Sequence, residues 1–109
     1  MLGNVSFVTV QEVHQWKLEG KNFTFLDIRE IHEVTVSRLT DAHIPMAFCL
    51  SRHSEIPRDH SVVMYCRSGS RSAATVSALM TKYGFTNLHS LIGGITEWMA
   101  LYEPDTEVG

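Results

Sequence analysis

Short apolar segments alternate along this chain with longer segments of helical periodicity. The short segments are apolar on both faces, which is typical of strands covered by helices on both sides of a sheet. Strands that alternate with helices run mainly parallel, because each helix returns the chain to the end of the sheet where the previous strand began. The sequence therefore predicts an α/β fold in which helices cover both faces of a mainly parallel central sheet.

The expected strands are bounded by turn residues and contain many β-branched and aromatic side chains. They lie at 23–28, 47–50, Ser61–Tyr65 and 87–91. The third is the clearest, and the second is a shorter segment just after Pro45. Open sheets of this kind bind ligands beyond the carboxyl ends of their strands. The residues after Tyr65 are therefore the first candidates for a site.

Three helices are expected from apolar residues that recur at intervals of three and four. Thr9 and Glu12 have the spacing of a capping box at the start of the first helix. Gly84 is positioned to end the second helix, and Gly93 and Gly94 are expected to form a tight turn before the third. The helices are expected between Thr9 and Gly20, over Ser70–Tyr83 and over 95–101.

The chain has 109 residues, 44% of them hydrophobic, which suits one compact domain over 1–109. The core is expected over about 7–101, and the acidic tail at 103–109 is expected to be flexible. The formal net charge of −3 argues against a broad basic surface for nucleic acid. No segment approaches the roughly 20 apolar residues that cross a bilayer, and the first residues do not resemble a signal peptide. We therefore expect a cytoplasmic protein that binds neither nucleic acid nor membranes.

The two cysteines, Cys49 and Cys66, are too few for a disulfide framework and favour a reducing compartment. The six histidines include no pair at metal-ligand spacing on one helix, so a metal site is not expected. No cofactor is expected either. Cys49 lies in an apolar segment and is expected to be a buried structural residue. Cys66 is the candidate for chemistry, because it directly follows the clearest strand.

Cys66 begins a loop, residues 66–72, that has the features of a reactive-thiol site. The thiolate is the nucleophilic form of cysteine, so such a site must stabilise the anion. The N-terminus of the helix that starts near Ser70 and the side chains of Arg67 and Arg71 supply positive charge. Gly69 lets the backbone bend so that its N–H groups face one central point. Further donors come from the hydroxyls of Ser68, Ser70 and Ser72. The loop is therefore predicted to bind an anionic substrate with an electrophilic atom that Cys66 attacks.

The segment YCRSGSRSA at 65–73 resembles the active-site loop of the rhodanese (thiosulfate sulfurtransferase) homology domain. Three other segments are similar to motifs of that family and come in the expected order: FLDIREIHE at 25–33, AHIPMA at 42–47 and LIGGITEWM at 91–99. The resemblance covers about 7–101 and implies the rhodanese-like form of the α/β fold.

The same resemblance implies a two-step sulfur transfer that needs no cofactor. Cys66 is implied to be the catalytic nucleophile, which takes the sulfane sulfur of a small anionic donor such as thiosulfate and carries it as a persulfide. A thiol or a protein sulfur acceptor then removes the sulfur. Arg67 and Arg71 are expected to hold the sulfonate oxygens of the donor. The substrate-binding residues implied are Arg67, Ser68, Gly69, Ser70, Arg71 and Ser72.

Two alternatives remain open. A cysteine-dependent phosphatase or arsenate reductase also wraps an anion in a loop between a strand and a helix. Those families have five residues between cysteine and arginine, whereas four separate Cys66 from Arg71, and the smaller ring suits one sulfur atom better than a phosphoryl group. The other alternative is a non-enzymatic rhodanese-like module for binding or for sulfur relay between proteins. Such binding modules typically lack the nucleophile that this chain retains.

Several other conspicuous residues are expected to be structural. Asp27 and Arg29 are expected to form an ion pair or to bond to loop backbone rather than to act in the site. His43, which lies close before Pro45, is expected to make a structural hydrogen bond. Trp16 and Trp98 follow the apolar stripes of their helices and are expected to anchor the core.

Overall fold

The computed structural model describes residues 4–109. Within this range one sheet contains four parallel strands in the order β1-β4-β3-β2. The strands are β1 (Ser6–Val8), β2 (Phe23–Asp27), β3 (Ser61–Tyr65) and β4 (Leu88–Leu91). The predicted α/β fold with a parallel sheet is therefore confirmed.

Five α-helices within the described range connect these strands or follow them. They are α1 (Val10–Glu19), α2 (Ile31–Val34), α3 (Met46–Cys49), α4 (Ser70–Tyr83) and α5 (Gly94–Tyr102), and a short 3-10 helix spans His53–Glu55. No helix of residues 4–109 is both long enough and apolar enough to span a bilayer.

The ends of α1 match the signals read from the sequence. The Glu12 N–H donates to Thr9 Oγ1 at 3.1 Å, and the Thr9 N–H donates to Glu12 Oε1 at 2.9 Å, so the capping box is complete. Gly20 ends the helix in the left-handed conformation at φ 70°. The predicted limits of this helix are confirmed.

The strand predicted at 47–50 is wrong, because most of this segment lies in α3. Pro45 precedes α3 with φ −54°, and its carbonyl accepts a hydrogen bond from the Phe48 N–H at 2.8 Å. The fixed φ of proline is compatible with a helix start, which favours this turn. Cys49 faces the core while Phe48 is exposed. A run of four apolar residues does not distinguish a strand from one helical turn, and the proline decided between them.

The sheet separates two apolar clusters, one on each face. Alternate residues of β3 enter different clusters, because successive side chains of a strand point to opposite faces. The helix α4 covers the first face, and α1 and α5 cover the second, as expected. The helical contributors include Val76 and Leu79 of α4, Val10 and Val13 of α1, and Ile95 and Trp98 of α5. Trp98 is buried as predicted, and Trp16 is half-buried against the same cluster.

The edge strand β1 was not expected from the sequence. It has three residues, of which Val8 is buried and Phe7 is exposed, so it offers no run long enough to recognise. Its pairing with β4 joins the first described residues to a late part of the chain. At the other end Val108 packs against the second cluster, while the flexibility expected for 103–109 stays a prediction.

Candidate active site

Cys66 lies at the carboxyl end of the central strand β3, and the helix α4 begins at Ser70. The loop of residues 66–72 therefore occupies the edge of the sheet where open α/β folds bind ligands. Only 1% of the surface of Cys66 is exposed. The sulfur is therefore almost completely covered by the residues around it.

Two backbone N–H groups point at the sulfur of Cys66. The Gly69 N–H donates to Cys66 Sγ at 3.1 Å, and the Ser72 N–H donates to the same atom at 3.4 Å. Hydrogen bonds of this kind favour a thiolate, because the anion is the stronger acceptor. The predicted association of Cys66, Gly69 and Ser72 is present in the structure.

Other N–H groups of the loop are free to bind a ligand. Those of Arg67, Ser68, Ser70 and Arg71 form no hydrogen bond with any residue of 4–109. Gly69 has φ 114°, a conformation that turns consecutive N–H groups toward one centre and that other residues rarely adopt. Together with the positive end of α4, these unpaired groups favour an anion next to the sulfur.

The first turn of α5 holds the loop from outside. The Ile95 N–H donates to the Cys66 carbonyl at 3.0 Å, and the Thr96 N–H donates to the Arg67 carbonyl at 3.1 Å. A Cβ on Gly94 would lie 2.6 Å from the Arg67 carbonyl oxygen and would also clash with the Cys66 carbonyl oxygen. The glycine pair predicted as a turn therefore also permits this close approach. The sequence did not reveal that role.

A chain of hydroxyls lies beneath the loop. The Ser72 hydroxyl donates to the Gly69 carbonyl at 3.1 Å and lies 3.7 Å from Cys66 Sγ. Because this proton is used, the hydroxyl of Ser90, which is 2.8 Å away, donates to Ser72 Oγ. Ser90 is buried on β4 and was missed in the sequence, where nothing distinguishes it from other polar strand residues.

Arg71 is not a free cation beside the loop. Its Nη1 and Nη2 atoms bond to Oε1 and Oε2 of Glu33, each at 2.8 Å. The hydrogen bonds from Arg71 lower the pKa of Glu33 to about 2, against the opposing effect of burial. Glu33 was the missed partner, because it lies on α2 in a segment with no other recognisable signal. Only its position in the FLDIREIHE segment could have indicated it.

The remaining predicted residues lie on the outer side of the loop. Arg67, Ser68 and Ser70 are exposed. Arg67 forms no salt bridge with any residue of 4–109, so its guanidinium is the uncompensated cation of the loop. It is therefore placed to meet an approaching anion.

The residues expected to be structural are indeed held away from this chemistry. Asp27 and Arg29 form a fully buried, bidentate ion pair with each other. His43 donates from Nε2 to the Arg29 carbonyl at 2.6 Å. Burial raises the pKa of the Cys49 thiol to about 11, and its Sγ–H donates to the Ile44 carbonyl. Cys49 is a structural thiol in a helix rather than in the strand that was expected.

Comparisons with known proteins identify relatives along most of the chain. A Sulfurtransferase of Allochromatium vinosum is 35% identical over 95 residues, covering 86% of this chain and 88% of that protein. A Thiosulfate sulfurtransferase GlpE of Actinobacillus succinogenes is 25% identical, with 86% of each chain covered. The probable adenylyltransferase/sulfurtransferase MoeZ of Mycobacterium tuberculosis is 31% identical over 103 residues, which cover 92% of this chain. The chain spans only 26% of the length of MoeZ.

Solved structures agree in fold. A rhodanese-like domain protein from Staphylococcus aureus superposes with a TM-score of 0.80 at 23% identity, covering 96% of this chain and 99% of that one. A protein of unknown function from Rhodopseudomonas palustris, described as a possible tyrosine phosphatase, reaches 0.75 at 16% identity, covering 98% and 86% of the two chains. The family model described as Rhodanese-like domain matches residues 9–101. By this match the chain belongs to the rhodanese-like domain family.

Proposed function

We propose that this protein is a sulfurtransferase that carries sulfane sulfur as a persulfide on Cys66. The observation that carries the proposal is the pair of backbone N–H groups, from Gly69 and Ser72, that donate to the Cys66 sulfur at the start of α4. Two relatives that this chain matches over most of their length are named a sulfurtransferase and a thiosulfate sulfurtransferase. Their names support the same reaction class.

The first step transfers sulfur from the donor to the enzyme. The Cys66 thiolate attacks the outer sulfur of a donor such as thiosulfate and forms a new S–S bond. The S–S bond of the donor breaks, and sulfite leaves with the electron pair. The nucleophile is the thiolate form of Cys66, which the N–H groups of Gly69 and Ser72 stabilise, so the step needs no separate general base. Arg67 and the free N–H groups of the loop bind the anionic donor during this step.

The second step returns the enzyme to its starting state. The thiolate of an acceptor attacks the outer sulfur of the Cys66 persulfide, the S–S bond to Cys66 breaks, and the Cys66 thiolate leaves. Between the two steps the terminal sulfur carries negative charge. The N–H groups of Arg67, Ser68, Ser70 and Arg71, which have no protein partner within residues 4–109, are available to hold it.

Acceptors of two kinds fit this chemistry: small thiols and protein thiols. MoeZ and the maize MOCS3-1 protein are both named adenylyltransferase and sulfurtransferase, and this chain matches about a quarter of each. A protein acceptor is therefore part of the proposal. The two free cysteines, Cys49 and Cys66, favour a reducing compartment, and we propose the cytoplasm.

Arg71 argues against phosphoryl transfer. Only four residues separate it from Cys66, one fewer than in the cysteine-dependent phosphatases, and the smaller ring suits one sulfur atom better than a phosphoryl group. Its charge is also compensated by Glu33, to which both terminal nitrogens are bonded. The likeness to the protein described as a possible tyrosine phosphatase is one of fold alone.

Intact mass spectrometry after incubation with thiosulfate tests the proposal. Wild type is expected to gain one sulfur atom that a reductant removes. The Cys66→Ser variant is expected to gain none, and Cys49→Ala, the matched control, is expected to gain it as wild type does. Sulfur on neither cysteine after exposure to thiosulfate or to a low-molecular-weight persulfide would reject the enzymatic proposal in favour of a binding module.

A further inference from the structure

The guanidinium of Arg71 is neutralised where the loop meets α2. Its two terminal nitrogens each bond to a different oxygen of the Glu33 carboxylate, and Glu33 is buried. Each terminal nitrogen keeps one further N–H, but the carboxylate compensates the positive charge of the guanidinium. The lowered pKa of Glu33 means that its carboxylate is ionised at neutral pH.

The charges around the reactive sulfur therefore balance. The cations Arg67 and Arg71 are opposed first by the Glu33 carboxylate, which is bonded to Arg71. Another carboxylate, that of Glu97, lies beside the glycine turn that touches the loop: its Oε2 is 3.5 Å from the position of a Cβ on Gly93. The immediate site thus has no excess of positive charge to attract a doubly charged ligand.

We propose that Glu33 determines specificity, by suiting the site to monoanionic sulfane-sulfur donors in preference to dianionic ones. This inference rests on the proposed sulfurtransferase function and narrows its substrate class. The energy of a donor in the field of the site is proportional to the charge of the donor. The electrostatic energy that a dianion gains from each unpaired cation is therefore twice that of a monoanion. Pairing that cation with a carboxylate also removes twice as much energy from the dianion.

Thiosulfonates have the chemistry of the favoured class. The Cys66 thiolate attacks the terminal sulfur of R–SO2–S⁻ and forms an S–S bond with it. The bond between the two donor sulfurs breaks, and a sulfinate leaves with the electron pair. No proton, oxidant or reductant is consumed, so the step matches that with thiosulfate in every respect except the donor charge.

Two donors that present the same sulfane sulfur provide the test: thiosulfate, a dianion, and methanethiosulfonate, a monoanion. In Glu33→Gln the side-chain amide oxygen can still accept a hydrogen bond, but the negative charge is lost. We expect kcat/KM to rise about tenfold for thiosulfate and about threefold for methanethiosulfonate. The change in the logarithm of kcat/KM is twice as large for thiosulfate because this donor carries two charges. For each donor, kcat/KM of Glu33→Gln is divided by that of wild type, so the difference in intrinsic reactivity between the two donors cancels.

A matched control is Glu55→Gln. Glu55 also accepts two hydrogen bonds from one arginine, from Nε and Nη2 of Arg52 at 2.8 Å each, outside the loop. It is expected to change kcat/KM for neither donor. Equal changes for both donors in Glu33→Gln, or a decrease for thiosulfate, would overturn the inference.

A measurement on the wild type covers the case in which Glu33→Gln does not fold. A site with balanced charges gives a kcat/KM for thiosulfate that changes less than about twofold between low and physiological ionic strength. A steep decrease with salt would reveal an excess of positive charge and overturn the inference. If wild-type Cys66 gains sulfur from neither donor, the sulfurtransferase proposal itself fails. If Cys66 gains sulfur from both donors but the salt dependence is steep, only the specificity inference fails.

Discussion

The buried hydroxyl of Ser90 lies 2.8 Å from that of Ser72, the residue whose N–H donates to the Cys66 sulfur. Donation from Ser90 polarises the Ser72 hydroxyl and makes it a stronger donor. When Cys66 is ionised, that hydroxyl can turn from the Gly69 carbonyl toward the thiolate. We therefore expect Ser90, on β4, to affect the reactivity of the thiol that follows β3.

Replacing Ser90 with alanine is expected to slow alkylation of Cys66 at neutral pH about fivefold, which corresponds to the loss of one hydrogen bond of about 1 kcal/mol. The rate is measured with iodoacetamide and mass spectrometry. Ser90→Thr keeps the hydroxyl and is expected to recover most of the rate. Ser77→Ala, which removes a hydroxyl from α4 far along the helix, serves as the control. A wild-type rate in Ser90→Ala would exclude this positioning role.

Gly94→Ala is expected to destabilise the fold by more than about 3 kcal/mol and to disrupt the loop. The added Cβ would lie 2.6 Å from the Arg67 carbonyl oxygen, at a residue with φ +57°. Gly84→Ala isolates the backbone effect, because Gly84 has φ +70° with nothing within 4 Å of a Cβ, and it is expected to cost about 1 kcal/mol. Urea unfolding measures the stability of both variants. Equal losses of stability would mean that the close contact between Gly94 and the loop is unimportant.

The ion pair between Glu33 and Arg71 is expected to make a pH-dependent contribution to stability. The pKa of Glu33 falls from 4.5 to about 2 on folding, so the contribution is fully present above pH 4.5 and is lost as the pH falls toward 2. At pH 6 wild type is expected to exceed Glu33→Gln by about 2 kcal/mol in the free energy of unfolding, with the difference shrinking below pH 4.5. A difference that stays constant down to pH 2 would contradict this assignment.

Cys49 is expected to remain unreactive in the folded protein. Its pKa is raised to about 11 by burial, so at pH 8 very little of it is ionised. Iodoacetamide at that pH is expected to add one group to wild type, on Cys66, and two groups after unfolding in urea. Cys49→Ala is expected to keep the sulfur-transfer rate of wild type. Rapid labelling of Cys49 in the native protein would refute this expectation.

The parts of the fold read from the sequence are those with long apolar patterns. The helix α4 has apolar residues at intervals of three and four, and the strands β2 and β3 are apolar on both faces and rich in β-branched and aromatic residues. The limits of all three were found within one or two residues. The edge strand β1 is too short to show alternation. The four apolar residues at 47–50 are too few to show whether the segment is a strand or a helical turn. Pro45, which precedes them, favours the helical turn that is observed.

In the candidate site, sequence reasoning succeeded where contacts are local. Gly69 and Ser72 are three and six residues from Cys66, so a strand, a glycine and a helix start were enough to bring them together. The partners that lie far away in sequence were not found. Glu33 and Ser90 reach the loop from other elements, and only the folded sheet brings them close.

The bonds from Ile95 and Thr96 to the carbonyls of Cys66 and Arg67 also affect the order of events during synthesis. Chains are made from the N-terminus at about 5–20 residues per second, so the thiol leaves the ribosome before the helix that fastens its loop. A nascent chain that ends before α5 has the nucleophile without the bent backbone around it. We therefore expect the loop to reach its bent conformation only once α5 has been made and packed, so that a reactive thiol is a property of the finished domain.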